Sequence, residues 1–252
     1  MRIRPRLIWL PFLAACLLLA RPVAAMDADT LMRHIDRLWR GQTSHAVMTM
    51  TVTTRRYQRT LSLEAWSKGK AYSLIVIRQP IKDAGVTTLK VEDNIWNYLP
   101  KINRVTKVPS SMMAGSWMGS HFTNDDLVRE STFEDDYHSQ ISFQGERDGQ
   151  RIYEITSIPN ADAAVVWGKV VMIIDQQTLA PYKAWYYDEE GALVRTLVFD
   201  QRQRIGERTV PMRLSLQPQD KPDESTVITY QSIEFDRPLD DGFFSLKNLK
   251  RQ

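Results

Sequence analysis

The chain has 252 residues, 33 of them basic and 30 acidic, with 43% apolar residues and a single cysteine. That length admits one large β domain or two small ones. Residues 1–25 carry four arginines and no acids, more than the whole formal charge of +3: without them 29 basic residues face 30 acids and the balance becomes −1, which excludes the basic footprint of a nucleic-acid binder.

Residues 1–25 read in three parts. MRIRPR is basic, LIWLPFLAACLLLA is a short apolar run, and RPVAA ends in small residues at Val23 and Ala25. This is the layout of a secretory signal peptide cleaved after Ala25, and the apolar run is too short to span a bilayer comfortably. Leu13-Ala14-Ala15-Cys16 resembles a bacterial lipobox, whose cysteine becomes an acylated anchor. Leu17, Leu18 and Leu19 continue the apolar run past it, so the soluble form is favoured over the lipid-anchored one. Cys16 is the only cysteine, so a mature chain has no disulfide, no zinc-thiolate site and no cysteine nucleophile.

A helix is expected over residues 28–40, capped by Asp27 or Asp29, with Leu31, Ile35 and Leu38 on one face and Gly41 as its stop. The period then becomes two. Strands are expected at 46–54, 59–67, 70–78, 86–92, 95–100 and 104–108, joined by short polar turns. Met48, Met50 and Val52 share one face of the first, while Val47, Thr49, Thr51 and Thr53 share the other. That alternation belongs to an antiparallel sheet wet on one side. Arg55-Arg56 and the KINR stretch at 101–104 are basic loop pairs, read as solvated surface. A second series of strands is expected at 141–146, 151–158, 167–175, 182–188, 192–201, 209–217 and 225–235. Regular spacing without a linker favours a single domain over residues 26–252.

Between residues 109 and 137 the strand pattern stops. Met112, Met113, Trp117, Met118 and Phe122 stand among small polar residues, and NDDLVRE at 124–130 has the cap and acidic first turn of a short helix. No catalytic set accompanies them. His34, His45, His121 and His138 lack metal-ligand spacing, and Asp125-Asp126 and Asp135-Asp136 read as caps or solvated acids rather than a calcium loop. GxSxG, GxGxxG and phosphate-loop patterns are absent, so no catalytic residue, metal or cofactor is assigned and no enzyme is expected.

Seven tryptophans and ten methionines point elsewhere. A strongly curved sheet has a concave face too large to fill with its own side chains, and a loosely packed cover leaves an apolar cavity. Methionine, unbranched and adaptable, suits a wall that repacks around different acyl chains. The candidate lining and gate residues are Met48, Met50, Trp66, Trp96, Tyr98, Met112, Met113, Trp117, Met118 and Phe122.

The stretch WNYLPKINRVTKVPSSMMAGSWMGSHFTNDDLVRE, residues 96–130, resembles the signature region of the bacterial outer-membrane lipoprotein-sorting-protein-like family. The resemblance implies the fold of the periplasmic lipoprotein carrier of the Lol pathway: an open, incomplete antiparallel β-barrel closed by a helical lid around an apolar cavity. It implies a periplasmic carrier or chaperone for acylated lipoprotein or lipid cargo, passed between an inner-membrane transporter and an outer-membrane acceptor. It also places residues 110–122 at the lid or cavity rim. The alternative is a lipid- or lipoprotein-sensing module that partners an envelope membrane protein. A monomer without nucleic-acid partner is expected in either case.

Overall fold

In the computed structural model, residues 27–129, 133–163 and 165–250 are described; the signal-peptide and lipobox assignments fall outside them. The first helix, α1 (Ala28–Arg40), starts where the Asp27 carboxylate accepts from the Thr30 amide at 2.9 Å, and stops at Gly41, whose φ of 65° few other residues adopt.

Thirteen antiparallel strands follow in one sheet. The first six are β1 (Thr43–Thr53), β2 (Gln58–Lys68), β3 (Tyr72–Gln79), β4 (Thr87–Val91), β5 (Asn94–Leu99) and β6 (Arg104–Lys107). After the excursion come β7 (Tyr137–Arg147), β8 (Gln150–Pro159), β9 (Lys169–Asp175), β10 (Pro181–Tyr187), β11 (Leu193–Ile205), β12 (Arg208–Pro218) and β13 (Ser225–Phe235). The spatial order is β6-β5-β4-β3-β2-β1-β13-β12-β11-β10-β9-β8-β7. Consecutive strands pair throughout except β6 and β7, and one further pairing, of β1 with β13, stitches the two halves together.

Beads of apolar side chains cross the strands in register on the concave face. Leu61, Met50, Ile228 and Leu214 stand opposite one another across β2, β1, β13 and β12. A second row runs Leu216, Leu197, Ala184, Met172 and Ile155 across β12 to β8. The period-two pattern of the sequence produces these rows, because residues i and i+2 of every strand face the same way. Twelve inter-strand steps of ~4.8 Å give an arc of roughly 58 Å. Eight strands are enough for side chains to fill a barrel; thirteen are not, so cover must come from elsewhere.

α1 covers one end of the arc. Leu31, Met32 and Ile35 are buried against Ile155 and Ile174 of β8 and β9. The sheet's outer face is dry over β3 and β4, a departure from the expectation of a fully wet convex side. Leu74, Val76 and Leu89 pack there against Phe244 and Leu249, brought over by the chain end and its short helix α4 (Leu246–Leu249).

Candidate functional site

The sheet order leaves β6 and β7 as its two edges, and residues 108–136 must cross the open side between them. The interrupted strand pattern of the sequence is therefore the crossing segment. It carries two short helices, α2 (Asn124–Arg129) and α3 (Phe133–Asp136), and is organised by its own hydrogen bonds. The Trp117 amide donates to the Phe122 carbonyl at 2.8 Å, and the Ser120 amide returns to the Trp117 carbonyl at 2.9 Å. Asn124 Nδ2 donates to the carbonyls of Met112 and Gly115 at 3.0 and 3.2 Å. Thr123 and Asp126 cap α2 reciprocally: the Thr123 amide donates to Asp126 Oδ2 at 2.7 Å, and the Asp126 amide to Thr123 Oγ1 at 3.1 Å.

Trp117 is the plug of this segment. Only 4% of it is exposed; it packs in the cluster of Met48, Met50, Leu61, Leu63 and Ile77 on the concave face. Its indole Nε1 donates to Thr88 Oγ1 at 3.2 Å, and Thr88 in turn donates to Asn97 Oδ1 at 2.8 Å. The one polar atom of the ring is thereby satisfied, as burial requires.

Two further attachments hold the segment to the opposite half. The His121 amide donates to Thr226 Oγ1 at 3.0 Å, and its ring nitrogens meet Thr226 Oγ1 at 2.8 Å and Glu224 Oε2 at 3.2 Å. The hydrogen bond from His121 is the main cause holding the Glu224 carboxyl below its ordinary value of 4.5. Arg195 of β11 then grips Asp126 with both arms, Nη1 to Oδ2 and Nη2 to Oδ1, at 2.7 and 2.5 Å. The guanidinium is 4.1 Å from the Trp167 ring centre and 4.3 Å from that of Tyr186. Burial disfavours its charge, and Asp126 more than restores it, so the Arg195 pKa stands above its ordinary value.

Between this cover and the sheet lies a cavity of about 380 Å³. Its wall is largely aliphatic and aromatic, with Leu63, Ile75, Met172, Leu197, Phe199, Leu214 and Ile228 from the sheet and Met32 and Ile35 from α1. Arg40, Lys70 and Lys90 stand on its polar side, with Ser44, Ser67 and Ser73.

Of the residues singled out in the sequence, Met48, Trp66, Trp117 and Phe122 border the cavity. Trp66 does so with its ring turned outward, stacked on His45 at 5.1 Å and edge-on to Phe243 at 5.4 Å. Met50 is fully buried beneath the lining. Trp96 and Tyr98 pack with the cluster under α4, and Met118 against the Trp117 cluster, its carbonyl accepting from Arg59 at 3.4 Å. Met112 is 57% exposed and Met113 partly buried; neither borders the cavity. The sequence reading missed Leu214, Ile228 and Phe199. Their strands do alternate, but alternation alone does not say which rows stay uncovered.

An open antiparallel sheet, a segment that crosses its open side and an apolar cavity between them make up the fold. Three solved structures share it. The crystal structure of a domain provisionally named an outer membrane lipoprotein-sorting protein, from Vibrio parahaemolyticus, has 23% identity and a TM-score of 0.78 over 88% of this chain and 98% of that one. A DUF1329 family protein from Desulfovibrio piger has 24% identity and a TM-score of 0.80, over 88% and 97%. A LolA superfamily protein from Nitrosomonas europaea has 22% identity and a TM-score of 0.75, over 89% and 100%. No curated protein matches. A family model described as "uncharacterized protein" matches residues 69–251, and the chain belongs to that family.

Proposed function

We propose that the protein is a carrier that takes acyl chains of lipoproteins or lipids into its cavity, for transfer to or from the outer membrane. The observation that carries this reading is the apolar cavity of about 380 Å³ left between a thirteen-stranded sheet and a cover that is attached by a few side chains. Its volume falls within the range of roughly 300–1,000 Å³ typical of small-molecule sites. Burial of each methylene contributes about 0.8 kcal/mol, so ten of them give about 8 kcal/mol before the costs of association. Such binding reads length and bulk rather than a polar pattern, which suits a carrier of varied acylated cargo. Met48, Trp117 and Phe122 serve as lining and gate, and release follows when the cover lifts.

Native mass spectrometry of protein purified from a bacterial periplasm, followed by lipid extraction, tests the reading. Acylated species are expected to copurify with the wild type. The Leu214→Trp variant, which fills the cavity from the sheet side, is expected to lose them. Apo mass in the wild type, with no uptake of an added fatty acyl probe, overturns the proposal. An unchanged lipid load in Leu214→Trp places the lipid elsewhere on the surface.

A further inference from the structure

In an antiparallel meander, alternate turns lie at the same end of the sheet. The β1–β2 turn (54–57), the β3–β4 loop (80–86) and the β5–β6 turn (100–103) are therefore neighbours on one rim. A Cβ on Gly85 would lie 3.3 Å from Pro100, which shows how closely two of these tips approach. Each tip presents a large apolar side chain to solvent directly beside a cation. Arg56 precedes Tyr57, which is 50% exposed; Ile81, 92% exposed, precedes Lys82; Lys101 precedes Ile102, which is 62% exposed.

Single exposed apolar residues need no explanation. Three such pairs on three adjacent tips are a pattern. The charge of the rim is also divided. Arg55, Arg56, Lys82 and Lys101 are exposed, and the one acid in those three segments, Asp83, is paired with Arg59 at 3.0 Å. Farther along the same rim, the β10–β11 turn carries Asp188, Glu189 and Glu190, and the β12–β13 loop carries Asp220, Asp223 and Glu224. One half is basic and studded with apolar tips; the other is net acidic, with Lys221 among its acids and Glu224 engaged by His121.

We infer that the β1–β6 half of this rim is a docking surface for an anionic lipid bilayer. Its cations meet phosphate groups while Tyr57, Ile81 and Ile102 enter the interfacial layer, the combination by which peripheral proteins hold to membranes. The acidic half is repelled and stays raised, so the protein meets the surface tilted about the β1–β13 seam. The surface is separate from the cavity and does not require the cavity to be loaded. Arg55-Arg56 and KINR, read as solvated loops from the sequence, become parts of one patch once the fold brings their tips together.

Sedimentation with unilamellar vesicles tests this, using phosphatidylglycerol–phosphatidylethanolamine vesicles against phosphatidylcholine vesicles at low salt. Preference for the anionic vesicles is expected, weakened by added salt. Each removed cation is expected to weaken binding about fivefold, so the pair Lys82→Gln and Lys101→Gln weakens it about 25-fold. The pair Ile81→Ser and Ile102→Ser is expected to weaken binding at every salt concentration, whereas Glu189→Gln with Glu190→Gln does not weaken it. Equal affinity for the two vesicle types, no vesicle binding at all, or full binding by both tip pairs overturns the inference; docking on a protein instead gives the second of these outcomes. Uptake of an acyl probe in solution is expected to be unchanged in the tip variants, so this test and that of the carrier reading fail independently.

Discussion

Asp126 has two jobs that the sequence presents as one. Its neighbourhood, Thr123 to Asp126, marks a helix start, and the capping bonds bear that out. Its ion pair with Arg195, 69 positions away, leaves no local signal at all. The side chains of Arg195 and Asp126 are 5% and 15% exposed, so removing one partner strands the other charge out of water. Asp126→Asn is therefore expected to lower stability by about 3 kcal/mol in urea unfolding, in line with broken buried pairs elsewhere. Replacing both, Arg195→Met with Asp126→Leu, is expected to recover most of the loss because no charge is left unpaired. A double variant as unstable as Asp126→Asn alone would assign the loss to the Thr123 cap, which Asp126→Leu also removes, or to packing of the guanidinium between Trp167 and Tyr186, rather than to its charge.

The crossing segment was legible as an element, because residues 109–137 break the period of two and concentrate Met and Trp. Its attachments were not legible. Thr88, Thr226 and Arg195 sit on strands whose patterns give no hint that one residue of each meets the same cover. The outer cover by Phe244 and Leu249 was also hidden, since four helical residues are too few to establish a periodicity. The Glu224–His121 attachment has a consequence in acid. A carboxyl held below its ordinary 4.5 contributes attachment that is fully present above that value and is lost as pH falls through its lowered folded value. Amide exchange at His121 and Phe122 is expected to quicken in that acid range, relative to the β1–β2 ladder measured at the same pH. Glu224→Gln is expected to abolish the pH dependence; exchange that stays acid-sensitive in that variant would assign it to another group.

At the scale of the whole molecule, the strand count and the antiparallel character followed from alternation and turn chemistry, and the open curved sheet followed from the family resemblance. The order of the strands did not, because pairing between β1 and β13 depends on the two series of strands meeting at their distant ends. That pairing puts the chain's first and last strands at the centre of the sheet, and the middle of the chain at its edges. Hydrogen exchange is therefore expected to be slowest in β1, β2 and β13 and fastest in the four-residue β6, the reverse of the usual loosening toward chain ends. Protection in β6 equal to that in β1 would mean that the edge is covered in solution by something beyond this chain.

The position of the break has a mechanical side. Only residues 108–136 join the two edges covalently, and 29 residues can extend to about 100 Å, far more than any gap the sheet could open. The backbone therefore sets no limit on how wide the molecule gapes. Among the described residues, resistance comes from the burial of Trp117 in the apolar cluster and from side-chain ties that include Trp117 to Thr88, Arg59 to the Met118 carbonyl, His121 to Thr226 and Glu224, Asp126 to Arg195, and Asp135 to Lys70. None of those ties belongs to the β ladder. The cover is thus fastened independently of the sheet it spans, and undoing its fastenings breaks no pairing between strands.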